Sequence, residues 1–512
     1  MTFTGHLSAH YVIGTTAAFS HVTPLLQLAL SLLELTPDLC ISFIVHANNI
    51  ETCHKVFSQS DQYEEVTKPR LRLYTVGDAG LELKKVGEAF MEMVYKSGEQ
   101  YGTILGSCSH FGWPFPTMFI FDLTSFFYPQ IKSAVEAQIP NCPPVRLVGY
   151  WPLPVADLLF LAGDVTNGSI RWLGEEFDTL STAQGVDLKI GLTLDKTVTE
   201  SGKIVNVSGC NPCSLYERWA FDINWKDPTL SYGWFAYLNG VQAACSEVSA
   251  MIGCFPSSVV EAETLKAVQT DGQLTKLAEP FIEMGYFPKP ASDQIEMRVR
   301  EFLDRHAERQ VTLLSFGTVV EAGPGISTLF DFLVDNDLPF VYACGGQKEV
   351  LPAHVREVLA KGEKEGKCIA PDWVNQTAIL GHKSIKCFLS HCGANSFCEA
   401  VMASVPILAW PIKWDQILLG SLVHKHSIGV ELLQHRRGAN VGQETAHRKI
   451  VVEGTSEALH SELVEAFDLI EKEGEEMRER ARKLGDKIRA KREGEWNENV
   501  KKFGMWGRSE DF

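Results

Sequence analysis

An indole, an imidazole, two carboxylates and several short polar side chains stand in one stretch of this chain, from Trp373 to Gln416. It opens W-V-N-Q (Trp373, Val374, Asn375, Gln376), continues F-L-S-H-C-G-A-N-S-F-C-E-A from Phe388 and closes W-D-Q at Gln416. Each side chain suits one part of a nucleotide diphosphate carrying a sugar. The flat π-face of Trp373 can stack on a flat heterocycle. K-C-F-L-S reads as a strand and F-C-E-A-V-M-A as a helix, which makes 390–396 a strand-to-helix turn where Gly393 allows close backbone approach. Free N–H groups and the dipole at a helix start attract anions, and His391, Asn395 and Ser396 add polar groups there. Glu399, one turn further, can accept from ribose hydroxyls. Asp415 and Gln416 follow the strand-like P-I-L-A-W-P, at the carboxyl edge where open α/β sheets bind ligands, and suit the hydroxyls of a hexose. Taken singly, Asn395 or Ser396 reads as a helix cap and Glu399 as a solvated carboxylate. Their joint order and spacing point to a ligand.

A second set lies far upstream. His21 precedes V-T-P, where Pro24 fits the first position of a helix and Thr23 its cap. Asp122 closes the strand-like T-M-F-I-F-D. A neutral histidine can take the proton of a hydroxyl as its oxygen attacks, and a carboxylate can hold the other ring N–H and stabilise the imidazolium that forms. The run 110–129 (HFGWPFPTMFIFDLTSFFYP) is dense in aromatics beside Asp122, as an apolar acceptor pocket or as plain core.

These residues need a scaffold, and the composition bounds it. At 512 residues, 45% hydrophobic and 22% charged, the chain is long enough for two globular domains. A net charge of −17 argues against nucleic-acid binding, which needs a basic surface. No signal-like leader and no apolar run of the ~20 residues that span a bilayer are visible, so the cytoplasm is the expected compartment. Thirteen cysteines without a repeating framework read as buried thiols. The pair Cys210 and Cys213 lacks two further ligands for zinc, so no metal site is expected. No G-x-G-x-x-G follows the first strand, which argues against a nicotinamide dehydrogenase.

Along the first half, apolar strands (H-Y-V-I-G-T; C-I-S-F-I-V-H-A; L-R-L-Y-T-V; T-M-F-I-F-D) alternate with helical stretches, the pattern of a parallel sheet covered by helices. The text between Gly163 and Tyr237 is polar and reads as loops and lid-like elements. A second α/β series starts at V-T-L-L-S-F-G-T, after the proline-bearing linker candidate M-G-Y-F-P-K-P-A-S-D-Q. In the tail, Leu463, Phe467, Ile470, Met477, Ala481, Leu484 and Ile488 form one apolar helix stripe, expected to cover the protein's own surface and not to build a coiled coil.

The stretch from Trp373 to Gln416 resembles the donor-binding signature of the UDP-dependent glycosyltransferases that modify small molecules. The resemblance implies an α/β fold of two Rossmann-like doubly wound parallel-sheet domains facing across a cleft (GT-B). The expected division is an acceptor-binding domain over 1–285, a linker over 286–300, a UDP-sugar-binding domain over 301–485 and, over 486–512, a helix and tail that packs back on the first domain. It also implies roles: Trp373, with its neighbour Val374, and Gln376 on the uridine; Glu399 on ribose; His391, Asn395 and Ser396 on the phosphates; Asp415 and Gln416 on the sugar. Ser315-Phe-Gly-Thr318 resembles the loop whose hydroxyl, here Thr318, reaches the diphosphate. His21 and Asp122 resemble the catalytic pair, with Ser20 where the family has Gly. Plant members carry Trp where this chain has Ala394, whose N–H remains for the sugar, and a terminal Gln such as Gln416 goes with glucose. The implied activity is inverting, metal-independent transfer of a hexose from a UDP-sugar, a co-substrate and not a cofactor, to a hydroxyl or carboxyl of a small lipophilic acceptor. A monomer is expected. The alternative is a catalytically silent UDP-sugar-binding or partner protein of the same fold.

Overall fold

The computed structural model describes residues 6–16, 18–58, 68–77, 96, 100–108, 110–125, 145–171, 197, 202–220, 228–274, 279–288, 294–317, 323, 325–346, 348–506 and 508. Contacts divide the chain into two compact units, 1–178 with 233–287 and 490–512, and 179–232 with 288–489. The stretch 179–232 falls inside the first domain expected from sequence, yet groups with the second unit. The chain also returns to the first unit at its end.

The first unit is built on a seven-stranded sheet: β1 (Ala9–Gly14), β2 (Leu39–His46), β3 (Leu71–Val76), β4 (Met118–Asp122), β5 (Arg146–Trp151), β6 (Ala250–Gly253) and β7 (Glu279–Glu283). All neighbours are parallel and the order is β3-β2-β1-β4-β5-β6-β7. The strands β1, β2 and β4 are buried at every position, as strands with helices on both faces must be. Helix α1 (Phe19–Leu35) follows β1 and packs Leu25, Leu28, Leu32 and their neighbours into this core.

The start of α1 departs from expectation. It begins at Phe19, not Pro24, and Pro24 lies inside it. Its N-cap, Ala18, supplies no side-chain bond, while the Ala18 N–H donates to Thr16 Oγ1 at 3.1 Å. Without a capping residue at the true start, the Thr-Pro pair five residues on is the stronger local signal, and it misplaces the boundary. His21 therefore stands in the first turn of α1, its N–H donating to the Ala18 carbonyl.

The second unit repeats the plan with six strands: β8 (Val311–Ser315), β9 (Phe340–Ala343), β10 (Cys368–Ile369), β11 (Ile385–Ser390), β12 (Ile407–Ala409) and β13 (Gly429–Glu431). They run parallel in the order β10-β9-β8-β11-β12-β13. Helices α2 (Gln376–Leu380), α3 (Ala394–Met402), α4 (Asp415–Lys425) and α5 (Ser456–Glu493) belong to this unit, α5 running a few residues past its edge. The apolar stripe of α5 does cover its own protein: Leu463, Phe467, Ile470 and Met477 are buried in the unit's core.

Part of the polar stretch before residue 237 is tied to this unit. Ala220 N–H donates to the Ile412 carbonyl at 2.8 Å, and Asn440 Nδ2 donates to the Trp219 carbonyl at 2.7 Å. Beneath them, fully buried Arg436 lies between Glu431 (3.0 Å) and Glu217 (3.5 Å), and His447 closes on Glu431 at 2.7 Å. From Pro228 that stretch is helical, not looped; 172–196, 198–201 and 221–227 lie outside the described residues. The last helix, α6 (Glu495–Met505), belongs to the first unit. There Trp496 Nε1 donates to Glu283 and the Tyr11 hydroxyl donates to the Phe503 carbonyl at 2.7 Å.

Candidate functional site

Each sheet has one switch point, the place where strand order reverses and open α/β sheets bind ligands. In the first unit it lies between β1 and β4, paired through Gly14 and Phe121. Both upstream residues are there: Asp122 is the last residue of β4 and His21 stands on the helix that follows β1. His21 Nδ1 lies 2.8 Å from Asp122 Oδ2. A carboxylate can only accept, so Nδ1 carries the hydrogen and Nε2 is left with a lone pair. Asp122 is fully buried while the His21 side chain keeps 14% exposure.

Thr124 completes the arrangement, and the sequence reading missed it. Its N–H and hydroxyl both donate to Asp122 Oδ1, at 2.9 and 2.6 Å, which fixes the carboxylate so that Oδ2 turns to His21. The signal was present: an Asp followed two residues on by Thr is a frequent local turn in which the Asp side chain takes the downstream N–H. Of the aromatic run, Phe119 and Phe121 are core, Trp113 is buried against His10, and Phe111 and Phe115 are exposed; 126–129 lie outside the described residues.

In the second unit the switch point lies between β8 and β11, where Ser315 pairs with Ser390. The turn from Ser390 into α3 rises from β11 there. Cys392 takes a left-handed backbone (φ 63°) and Gly393 is the N-cap of α3, with no side-chain capping bond. Neither Asn395 nor Ser396 is a cap. Ser396 Oγ instead accepts from Gln376 Nε2 at 3.3 Å, and the same amide donates to Glu399 Oε2 at 2.6 Å. Glu399 is thus a buried carboxylate, not a solvated one. Gln376 opens α2 after Asn375, which caps that helix through the Ala378 N–H. Val374 is half-buried, and Trp373 stands 63% exposed near Gly346.

Two side chains behave otherwise than expected. The Ala394 N–H is not free for a sugar, because it donates to Asp415 Oδ2 at 3.2 Å. The carboxylate, at the start of α4, acts as an internal anion for the start of α3. Gln416 Oε1 accepts from the Ile412 and Lys413 N–H groups at 3.1 and 3.2 Å, so its side chain offers a ligand only amide hydrogens. Before this pair, Trp414 is 46% exposed with φ 58°.

His391 makes its described bond backwards, into the sheet. Nδ1 lies 3.3 Å from the Ser315 carbonyl, which can only accept, so the ring hydrogen sits on Nδ1. Desolvation of the ring pushes its pKa down to about 4, with the Ser315 bond acting in the opposite sense. Nε2 points into a gap made by two glycines: a Cβ on Gly317 or Gly393 would stand 2.8 or 2.7 Å from it. Gly317 also has φ +75°, which other residues rarely adopt. Thr318, expected to reach the diphosphate, lies outside the described residues. Cys210 and Cys213 are half-buried, and among the described residues no three His, Cys, Asp or Glu side chains cluster as a metal site.

Residues 287–451 match the family model described as UDP-glucoronosyl and UDP-glucosyl transferase. That segment belongs to the family. The chain is 36% identical over 134 residues to UDP-glycosyltransferase 84B1 of Arabidopsis thaliana, an alignment covering 26% of this chain and 29% of that protein. It is 33% identical over 185 residues to UDP-glycosyltransferase 708C2 of Fagopyrum esculentum, covering 33% and 38%. These alignments span well under half the length of either relative. Fold similarity runs further. The structure of a UDP-glucose: anthocyanidin 3-O-glucosyltransferase in complex with UDP superposes with a TM-score of 0.67 at 18% identity, over 98% of this chain and 99% of that one. The two-Rossmann-unit glycosyltransferase fold therefore extends over the chain, and the family's signature stretch coincides with the switch point of the second sheet.

Proposed function

We propose that this protein transfers a hexose, glucose favoured, from a UDP-sugar to a hydroxyl or carboxyl group of a small lipophilic acceptor. The carrying observation is the His21–Asp122–Thr124 chain of hydrogen bonds, which holds a general base in its acceptor tautomer with Nε2 unpartnered among the described residues. A protein that only bound the donor would have no use for it.

In the reaction, His21 Nε2 takes the acceptor's O–H proton as the oxygen attacks the anomeric carbon. The carbon–oxygen bond to UDP breaks on the opposite face, through an oxocarbenium-like state, and the configuration inverts. Asp122 stabilises the imidazolium that forms. Trp373 stacks on uracil, Glu399 takes the ribose hydroxyls, and Gln376 serves the uridine, held beside Glu399 as it is. The departing diphosphate is met by the N–H groups that open α3, by Asn395, Ser396 and His391, and by Thr318. These fixed donors do the work a metal ion does elsewhere. Asp415 and Gln416 read the sugar hydroxyls, the first releasing Ala394 N–H to do so. A soluble monomer acting in the cytoplasm fits this reading; among the described residues no helix is long and apolar enough to cross a membrane.

The test is incubation with several UDP-sugars and a panel of hydrophobic alcohols, phenols and acids, following UDP release and product mass. Absence of turnover with every donor, in protein that melts cooperatively, would end the proposal.

A further inference from the structure

The imidazole of His391 is set up to receive the diphosphate in the wrong protonation state. Its one hydrogen is committed to the Ser315 carbonyl at 3.3 Å, and the main-chain N–H of His391 donates to the same oxygen at 3.2 Å, so the ring is held on that side by its own backbone. Nε2, facing the glycine-lined gap between 317 and 393, therefore holds a lone pair. The diphosphate of a UDP-sugar is a diester with no hydrogen to give. Two acceptors meeting in a confined space repel, and neither can rotate its way out.

We propose, on the donor-site reading above, that binding of a UDP-sugar diphosphate is coupled to uptake of one proton by His391 at Nε2. The proton comes from solvent and turns the lone pair into an N–H donor, giving a charge-assisted hydrogen bond between imidazolium and phosphate. Atoms and charge balance: one proton enters with one diphosphate and leaves with it.

The surroundings permit the change without driving it in the free protein. The titratable groups on the elements around the ring include Cys392 in the same turn, Cys398 and Glu399 along α3, Asp415 at the start of α4 with His424 and Lys425 at its far end, and Glu431 at the end of β13. None of them is bonded to the imidazole, whose partner among the described residues is Ser315. Asp415 is engaged with Ala394 and Glu431 with Arg436 and His447. The free ring is neutral at pH 6 and above, since desolvation holds it near 4. A dianionic neighbour reverses that preference.

The experiment is calorimetric titration of the full chain with UDP-glucose at pH 5, 6 and 7, each in buffers of different ionisation enthalpy. A UDP-sugar suits this better than UDP, whose terminal phosphate titrates in the same range. The expected result is uptake approaching one proton per donor bound at pH 6, with Kd weakening up to tenfold per pH unit wherever a full proton is taken up. His391→Gln places an amide donor there that needs no proton; uptake vanishes and Kd becomes flat with pH. His391→Asn repeats the comparison should the first variant misfold, and the wild-type proton count stands without either. Binding by wild type with no uptake at any of the three pH values overturns the inference, as does uptake that persists in the variants. Failure of every UDP-sugar to bind defeats the donor-site reading itself, a result plainly different from binding without protons.

Discussion

Asp122 reaches His21 across the switch point of the first sheet, from the last residue of β4 to the first turn of α1, with 2.8 Å between Oδ2 and Nδ1. Thr124 anchors the carboxylate through its hydroxyl and N–H on Oδ1, and its hydroxyl also lies 3.3 Å from His21 Nδ1. His21→Ala should abolish transfer while UDP binding, measured by calorimetry, stays unchanged. Asp122→Asn keeps the shape and loses the charge; kcat should fall on the order of 10²–10⁴-fold. Thr124→Ala should lower kcat less and shift its pH profile, with Thr124→Ser restoring both. Retention of full activity by His21→Ala would show that the base lies elsewhere.

Trp373 is an apolar plate with most of its surface in water. Its replacement by alanine removes little packing, so the melting temperature should hardly move. Loss of base stacking is worth about 1–3 kcal/mol, which weakens UDP roughly 5- to 150-fold whatever sugar is attached. A melting temperature that drops several degrees instead would mean the indole supports the fold.

Gly393 admits no side chain. The Cβ of Gly393→Ala would stand 2.7 Å from His391 Nε2, so either the ring or the start of α3 must shift. The expected cost is about 1–3 kcal/mol of stability together with weaker donor binding. Gly381→Ala is the control, since its nearest neighbours are carbonyl oxygens at 3.6 Å; it should be neutral in both assays. Equal melting temperatures and donor affinities for Gly393→Ala and wild type would refute the crowding.

Arg436 neutralises two buried carboxylates, and Arg436→Met should cost about 3–5 kcal/mol by leaving Glu217 and Glu431 facing each other without it. Burial on its own would raise the Glu431 carboxyl, yet the His447 bond and the Arg436 charge hold it below the ordinary value. A lowered folded value means stability that is present above about pH 4.3, the unfolded figure, and lost as pH falls through the folded one. Glu431→Gln should therefore be most destabilising at neutral pH, with the gap to wild type closing in acid. Urea unfolding at pH 7 and pH 3.5 measures it.

Strands β1, β2, β4, β8 and β12 were readable because each is a nearly unbroken apolar run, and their alternation with helices implied the parallel order; β7 (Glu279–Glu283), with a carboxylate at each end, and the two-residue β10 carry no such run. Local signals worked where the chain obeys local rules. At α1 they misled, since the helix opens at Phe19 without a capping side chain while Thr23-Pro24 imitates a start. Contacts between residues far apart in sequence were invisible. Nothing in the letters links Ala394 to Asp415, or Glu217 to Arg436 more than two hundred residues later. The polar residues between Trp373 and Gln416 could be picked out from spacing, whereas which hydrogen each one has left to give could not, because that depends on partners such as Ser315 and Ile412.

Val500 and Phe503 lie in the core of the unit that holds β1, with Trp496 buried beside them, yet all three follow the second unit's last residue, Arg489. A chain emerging from the ribosome, at roughly 5–20 residues per second, thus has the second unit's residues out by Arg489 while the first still lacks α6. The first unit is therefore completed only after the second unit's residues have been made. Until then the apolar surface that Trp496, Val500 and Phe503 will cover stays open to other chains, so stop codons just past α5 should yield aggregates and not a shortened soluble chain.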